Sequence, residues 1–321
     1  MDFFLPINIE DYSYKINYNS SVYLTGSCFT EHISNYFKRN KFLVLENSHG
    51  IMFNPISVCD ALCEVMENKR YSENDLFNLN EYWHSWKHHS AFSNLDRSLA
   101  LEKINQHIFS HHDFLKNCYH LIITFGSAFA YFLNNKNFYV GNNHRAPHQW
   151  FSKDLLSKEQ IIEAITKMMN MLKVFNPSCK IIFTISPVRH IRDGVVDNNR
   201  SKARLIEAVH SIEDTYYFPS YELVVDVLRD YRFYDADLVH PNYLATKYVW
   251  EQFVSACIHP NCYNFMKQAE DIYKAYQHIP KDKNSKAHQA FLKEYFNKVN
   301  QLKLSLPHID FSKEELYFSE K

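Results

Sequence analysis

The chain has no basic surplus, no acidic block, no paired-cysteine motif, no long apolar run and no internal repeat, and each absence removes a class of function. Lys and Arg number 35 against 36 Asp and Glu, a formal charge of −1. That balance gives no electrostatic footprint for nucleic acid and no sign of a disordered acidic tail. The short lysine cluster at Lys281, Lys283 and Lys286 lies between helical patterns and reads as a solvated linker. Seven cysteines (28, 59, 63, 118, 179, 257 and 262) are scattered without a CxxC pair, the pattern of reduced thiols rather than a disulfide framework or a zinc ribbon. No apolar run approaches the roughly 20 residues needed to span a bilayer. The opening MDFFLPINIEDYSYK has no positive leader and carries Asp2, Glu10 and Asp11, unlike a secretory signal. The expectation is a soluble cytoplasmic protein that uses neither nucleic acid nor membrane as partner.

What is present is a globular composition, 46% hydrophobic and 16% aromatic over 321 residues, enough for one large or two small domains. Ser21–Thr25 reads as a buried strand, and Gly26, Ser27 and Cys28 follow as a turn into a helix over Thr30–Arg39. A strand that ends in glycine and feeds a helix sets the next side chains at the carboxyl edge of a sheet, where helix N–H groups favour negative charge. A thiolate at Cys28 or an oxyanion beside Ser27 would be stabilised there.

Further along, Phe42–Glu46 reads as a strand, Ser57–Glu67 as a helix, and Leu121–Phe125 as a buried strand. Ser157 and Gln160 form a capping box opening a helix through Leu172, and Lys180–Ile185 is the next strand. Strand, long helix, strand is the βαβ pattern of a parallel sheet. Helical patterns follow at 198–212, 222–229 and 243–257. The fold class expected is α/β, a three-layer α/β/α sandwich with a mostly parallel sheet over residues 1–258, plus a helical extension over 259–321.

Two histidine clusters raise the question of a metal. His107, His111 and His112 with Asp113 include an i, i+4 pair, but no HExxH-type base accompanies them, so a solvated amphipathic helix is expected and no metal or other cofactor. His84, His88 and His89 among Trp83 and Trp86 read as irregular, pocket-lining chain.

The strongest chemical signal is Asp237-Leu-Val-His240, just ahead of the 243–257 helix. An acid three residues before a histidine can hold one ring nitrogen and leave the other as general base.

With these residues the chain resembles the GSCFA family, a divergent branch of the SGNH/GDSL hydrolases. The resemblance rests on Gly26-Ser27-Cys28-Phe29-Thr30, Gly50-Ile-Met-Phe-Asn54-Pro55, Ser186-Pro-Val-Arg189-His190-Ile-Arg192-Asp193-Gly194, Tyr217 to Glu222, and Arg229 through His240-Pro241. It implies a flavodoxin-like sheet, a nucleophile after the first strand, and a late DxxH that Asp237 and His240 match. Laid on the GDSLT-like pattern, Cys28 rather than Ser27 falls in the nucleophile column, and Gly50 matches the oxyanion glycine. Ala128 stands where the oxyanion asparagine would be. Asn54, Asn142, His144, Arg145, Arg189 and His190 are the candidates to bind substrate or supply the missing donor. The implied activity is hydrolysis or transfer of an acyl ester, acetyl esters among them, of a small polar or glycan-derived substrate. Ala128 keeps open a non-catalytic small-molecule or carbohydrate binder on the same scaffold.

Overall fold

The computed structural model describes residues 5–319; Asp2, one of the acids of the opening segment, lies outside them. Five strands form the central sheet: β1 (Val22–Gly26), β2 (Val44–Glu46), β5 (His120–Phe125), β9 (Lys180–Ile185) and β10 (Tyr216–Phe218). They pair in the order β10-β9-β5-β1-β2, parallel throughout. This is the flavodoxin-like order, whose switch point lies between β1 and β5, and in such sheets ligands bind outside the carboxyl ends of the strands.

Side-chain alternation along the strands builds two cores. Val22, Leu24, Ile122, Ile182 and Phe218 face one side, against α1 (Cys28–Arg39) and α7 (Tyr243–Cys257). Tyr23, Leu121, Ile123, Phe125, Phe183 and Ile185 face the other, against α2 (Pro55–Met66), α4 (Lys158–Phe175) and α5 (Val195–His210). Both faces of the sheet are covered, which is why its strands read as continuous apolar runs. The C-terminal helices α8 (Tyr263–Tyr276), α9 (Lys286–Ser305) and α10 (Ser312–Ser319) share the first core, through Phe265, Ile272, Leu292, Val299 and Phe318.

Several local expectations needed correction. The stretch from Tyr82 is not irregular: β4 (Tyr82–Ser85) pairs antiparallel with β3 (Leu76–Leu79). Trp86 stacks on Phe77 with ring centroids 3.6 Å apart and is buried, so this segment is packed core. The 107–113 region belongs to a 21-residue helix, α3 (Arg97–Asn117), that is not simply solvated: His111 is buried and its Nδ1 lies 2.8 Å from the Tyr23 hydroxyl. Between β5 and α4 a second, three-stranded antiparallel sheet was not legible at all. It runs β7 (Phe138–Val140), β6 (Phe129–Leu133), β8 (Phe151–Leu155). The 222–229 segment turns through α6 (Ser220–Glu222) into a π-helical stretch, Leu223–Leu228. No helix among the described residues is long and apolar enough to cross a membrane.

The tightest point of the sheet is Gly26. Its φ is +132°, and a Cβ there would stand 2.0 Å from the Thr124 carbonyl oxygen of β5. A side chain would meet both a backbone clash and a forbidden torsion. Replacing Gly26 with Ala is expected to lower unfolding free energy by at least about 2 kcal/mol; a urea midpoint unchanged from wild type would contradict this reading of the β1–β5 contact.

Candidate active site

Ser27 and Cys28, adjacent in sequence, have opposite environments. Ser27 is the N-cap of α1, yet its hydroxyl makes no cap bond; it is wholly buried and its Oγ has no partner among the described residues. Cys28 is the first residue of α1 and remains partly exposed. Burial raises its thiol pKa and Glu31 on the next turn raises it further. The charge of Lys202 and the N–H groups of Cys28 and Phe29 pull the other way. Those amides are the unsatisfied donors of a helix N-terminus, the expected support for a thiolate or an oxyanion.

The DxxH segment forms a compact acid–base unit. Asp237 Oδ1 accepts the backbone N–H groups of Val239 (2.9 Å) and His240 (3.0 Å), while Oδ2 lies 2.6 Å from His240 Nδ1. These bonds hold the Asp237 carboxyl down at about 2, with the His240 backbone N–H as the largest cause. An ionised Asp237 at Nδ1 fixes the imidazole tautomer with Nε2 as acceptor; Nε2 has no partner among the described residues. His240 is partly open to solvent. Burial first, and then proximity to His240, lowers the pKa of His32, one turn along α1 from Cys28, and His240 is also among the neighbours that lower His190 after β9. Val239 packs on the same apolar core as Cys28, and its carbonyl accepts the Arg189 N–H at 3.2 Å. The DxxH loop is therefore tied to the carboxyl edge of the sheet.

Beside this edge opens a cavity of about 430 Å³, lined by Phe53, Asn54, Asn142, Lys153, Arg189 and His190 among others. The Arg189 guanidinium lies over the Tyr234 ring at 4.2 Å and Tyr231 at 5.2 Å. His190 packs edge-on to Phe53, and its Nε2 is buried without a partner among the described residues. Burial, then Lys202, keeps that imidazole neutral, down at about 3. A methyl group added to Gly126 would stand 3.2 Å from both His190 Nε2 and the Ser27 Cβ, so the two groups flank the same glycine. Lys153 is ion-paired with Asp193 across the cavity rim.

The remaining candidates divide. Asn54 reaches the cavity but caps α2, with Oδ1 accepting the Ser57 N–H at 2.9 Å and Nδ2 donating to Ser57 Oγ at 3.0 Å. Asn142 also lines it, while its Oδ1 accepts the His144 N–H at 2.8 Å. His144 is directed away, into the hairpin core, with Nε2 2.8 Å from the Ser85 carbonyl oxygen; burial holds it neutral, at about 4. Arg145 is exposed and outside the cavity lining. Gly50 does not offer a free donor: its N–H is spent on Asn47 O at 2.9 Å, and its lack of a Cβ serves a close approach to His89. Ala128 is buried with its N–H donated to Ser201 Oγ at 2.7 Å, so no donor replaces the asparagine at that position. Among the described residues no group of three or more His, Cys, Asp or Glu is placed to hold a metal.

One residue escaped the reading of the sequence. Lys202 of α5 is 1% exposed, and its Nζ donates to the carbonyl oxygens of Gly126 and Ser186, both at 2.6 Å. The signal was available: Asn198, Ser201, Lys202, Leu205, Ala208 and Val209 share the buried face of α5 at helical spacing, which puts a lysine where an apolar residue belongs.

These environments separate the two nucleophile candidates. Iodoacetamide treatment with peptide mapping should label Cys28, and Cys28→Ala should lose that label. Ser27→Ala should keep it and stay within about 1 kcal/mol of wild-type stability, since the removed hydroxyl makes no bond. A serine-directed phosphonate that modifies Ser27 would reverse the assignment.

Comparison with known proteins places the chain. The model of the GSCFA family matches residues 21–253, and that of the GSCFA domain protein C-terminal domain matches residues 269–321. A search of curated proteins found no match. Among solved structures, a carbohydrate esterase family 3 protein from Talaromyces cellulolyticus aligns at 10% identity and TM-score 0.36, covering 77% of this chain and 98% of that one. The acetyl xylan esterase Est2A of the rumen bacterium Butyrivibrio proteoclasticus aligns at 10% identity and TM-score 0.38, covering 75% and 64%. A point mutant of an acetyl esterase, solved with acetate ion, aligns at 11% identity and TM-score 0.34, covering 77% and 98%. With family models matching most of its length, the chain belongs to the GSCFA family.

Proposed function

We propose that this protein is an SGNH-like hydrolase or acyltransferase acting on acyl esters of a small polar or glycan-derived substrate, with Cys28 as nucleophile and His240, oriented by Asp237, as general acid–base. The observations that support this reading are a partly exposed thiol on a helix N-terminus and, in a loop held to the sheet edge through the Arg189 N–H bond to the Val239 carbonyl, an Asp-oriented histidine whose Nε2 is free among the described residues. The 430 Å³ cavity alongside, rimmed by amides, guanidinium groups and aromatic faces, suits a small polar acyl acceptor or leaving group.

In this mechanism His240 Nε2 takes the Cys28 proton as sulfur attacks the acyl carbon. The C–O bond of the ester breaks, and the leaving alkoxide takes the proton back from the imidazolium. Water, or an acceptor hydroxyl, then gives its proton to His240 and attacks the thioester, releasing acid or new ester and a thiolate that is reprotonated. The developing oxyanion rests on the Cys28 and Phe29 N–H groups, with His190 at the cavity wall as a further contact. Asn54 and Asn142 each keep an amide N–H for substrate oxygen, and Arg189 presents cationic donors.

Ala128 supports the second reading, a non-catalytic binder: loss of one oxyanion donor typically costs 100- to 1000-fold in rate, on the order of 3–4 kcal/mol. Turnover of a chromogenic acetyl ester distinguishes the two. Cys28→Ala and His240→Ala should each lose about 1000-fold or more in kcat/KM, and Asp237→Asn at least about tenfold, with folding retained by circular dichroism. Wild-type protein inert toward acetyl and longer acyl esters, yet binding acetylated sugars by calorimetry, would establish the binder instead.

A further inference from the structure

Lys202 places an amine inside the protein with no carboxylate paired to it among the described residues. It is 1% exposed, where half-buried Lys87 and Lys153 reach Asp60 and Asp193. Its two bonds go to neutral carbonyl oxygens, those of Gly126 and Ser186, at the carboxyl ends of β5 and β9. An ammonium in such a place costs several kcal/mol unless a negative charge compensates it, and a methionine could fill the same volume without that cost. A thiol that could compensate it follows directly on the residue packed against Gly126. Gly126 packs against Ser27, the Ser27 N–H donates to Thr124 O at 3.0 Å, and Cys28 follows at the start of α1.

We propose that Lys202 is a positioning residue whose buried ammonium stabilises the thiolate of Cys28 and, by clamping the ends of β5 and β9, fixes the floor under the nucleophile turn. This rests on the reading of Cys28 as nucleophile. The two ends support each other. The carbonyl bonds favour the charged amine, the helix N-terminal N–H groups favour the charged sulfur, and each charge lowers the cost of the other. Burial pushes the amine down to about 7 even though the proximity of Cys28 acts to hold it up. Glu31 opposes the thiolate from α1, while His190, kept neutral, and the Tyr221 ring, 5.7 Å from Nζ, face the lysine. No proton needs to pass between Cys28 and Lys202; His240 or solvent takes it, and Lys202 supplies the field.

The test reads the thiol without substrate, so it stands apart from whether esters are turned over. The rate of Cys28 alkylation by iodoacetamide is followed from about pH 6 to about pH 10.5 by peptide mapping. Lys202→Met should move the midpoint up by about one pH unit and slow alkylation near neutral pH about threefold or more, the more basic thiolate being intrinsically more reactive. Glu31→Gln should move it down. A Lys202→Met midpoint equal to wild type would leave Lys202 a structural clamp and overturn the proposal. Should Lys202→Met fail to fold, the reciprocal measurement decides: the NMR titration of Lys202 Cε should fall to lower pH in Cys28→Ser, and an unmoved titration would equally overturn it.

Discussion

The approach of Gly26 to the Thr124 carbonyl is the contact on which the site depends. With no Cβ, the end of β1 lies flat against β5, and the same glycine donates its N–H to Asn47 Oδ1 at 3.0 Å and accepts the Met52 N–H at 3.0 Å. Three segments therefore meet at one residue: the first strand, its central neighbour, and the loop after β2 that leads to Phe53 and Asn54. The turn that follows has little freedom. Ser27 is pressed into the sheet, and Cys28 emerges at the first position of α1, where amide donors converge.

Around that turn the polar groups fall into two kinds. Asp237 and His240 are close in sequence, lie in a loop, and satisfy each other through local backbone bonds, so they need little from the rest of the fold except a place to stand. Lys202, the Nε2 of His190 and Ser27 are buried around Gly126 and incompletely satisfied, which costs stability. Such costs concentrate where chemistry is performed, because desolvated, preorganised donors and charges act on a reacting group more strongly than solvated ones. The unpartnered Nε2 of His190, the amine of Lys202 held down by burial and the raised thiol of Cys28 thus share one physical origin.

The sheet strands were legible because both their faces are apolar, and Gly26-Ser27-Cys28 and Asp237-x-x-His240 were legible because each is a short local motif. The β6–β8 sheet was not. Its strands are half-buried, Phe129 and Tyr131 facing the cavity side and Lys153 the rim, so no continuous apolar run marks them. The hairpin at Leu76–Ser85 was obscured for a different reason: its histidines and tryptophans resemble pocket lining, yet Trp86 and His144 pack with Phe77 into a closed aromatic cluster. Gly50, His144 and Arg145 were drawn into the site by motif and composition; a bond to Asn47 engages Gly50, a bond to Ser85 across 59 residues engages His144, and Arg145 is exposed outside the cavity lining.

By itself, the sequence determined the parallel core, the Gly26-Ser27-Cys28 turn and the acid–histidine pair, since strand alternation, a glycine bend and an i, i+3 hydrogen bond are all local consequences of residue order. Only the tertiary structure decided that the serine is sealed in and the cysteine open, that Asn54 and Asn142 reach the cavity while His144 does not, and that a lysine lies beneath the turn. The Lys202 to Gly126 bond spans 76 residues. A parallel sheet gathers the carboxyl ends of strands far apart in the chain onto one edge, and which side chains meet there is set by strand order and crossover.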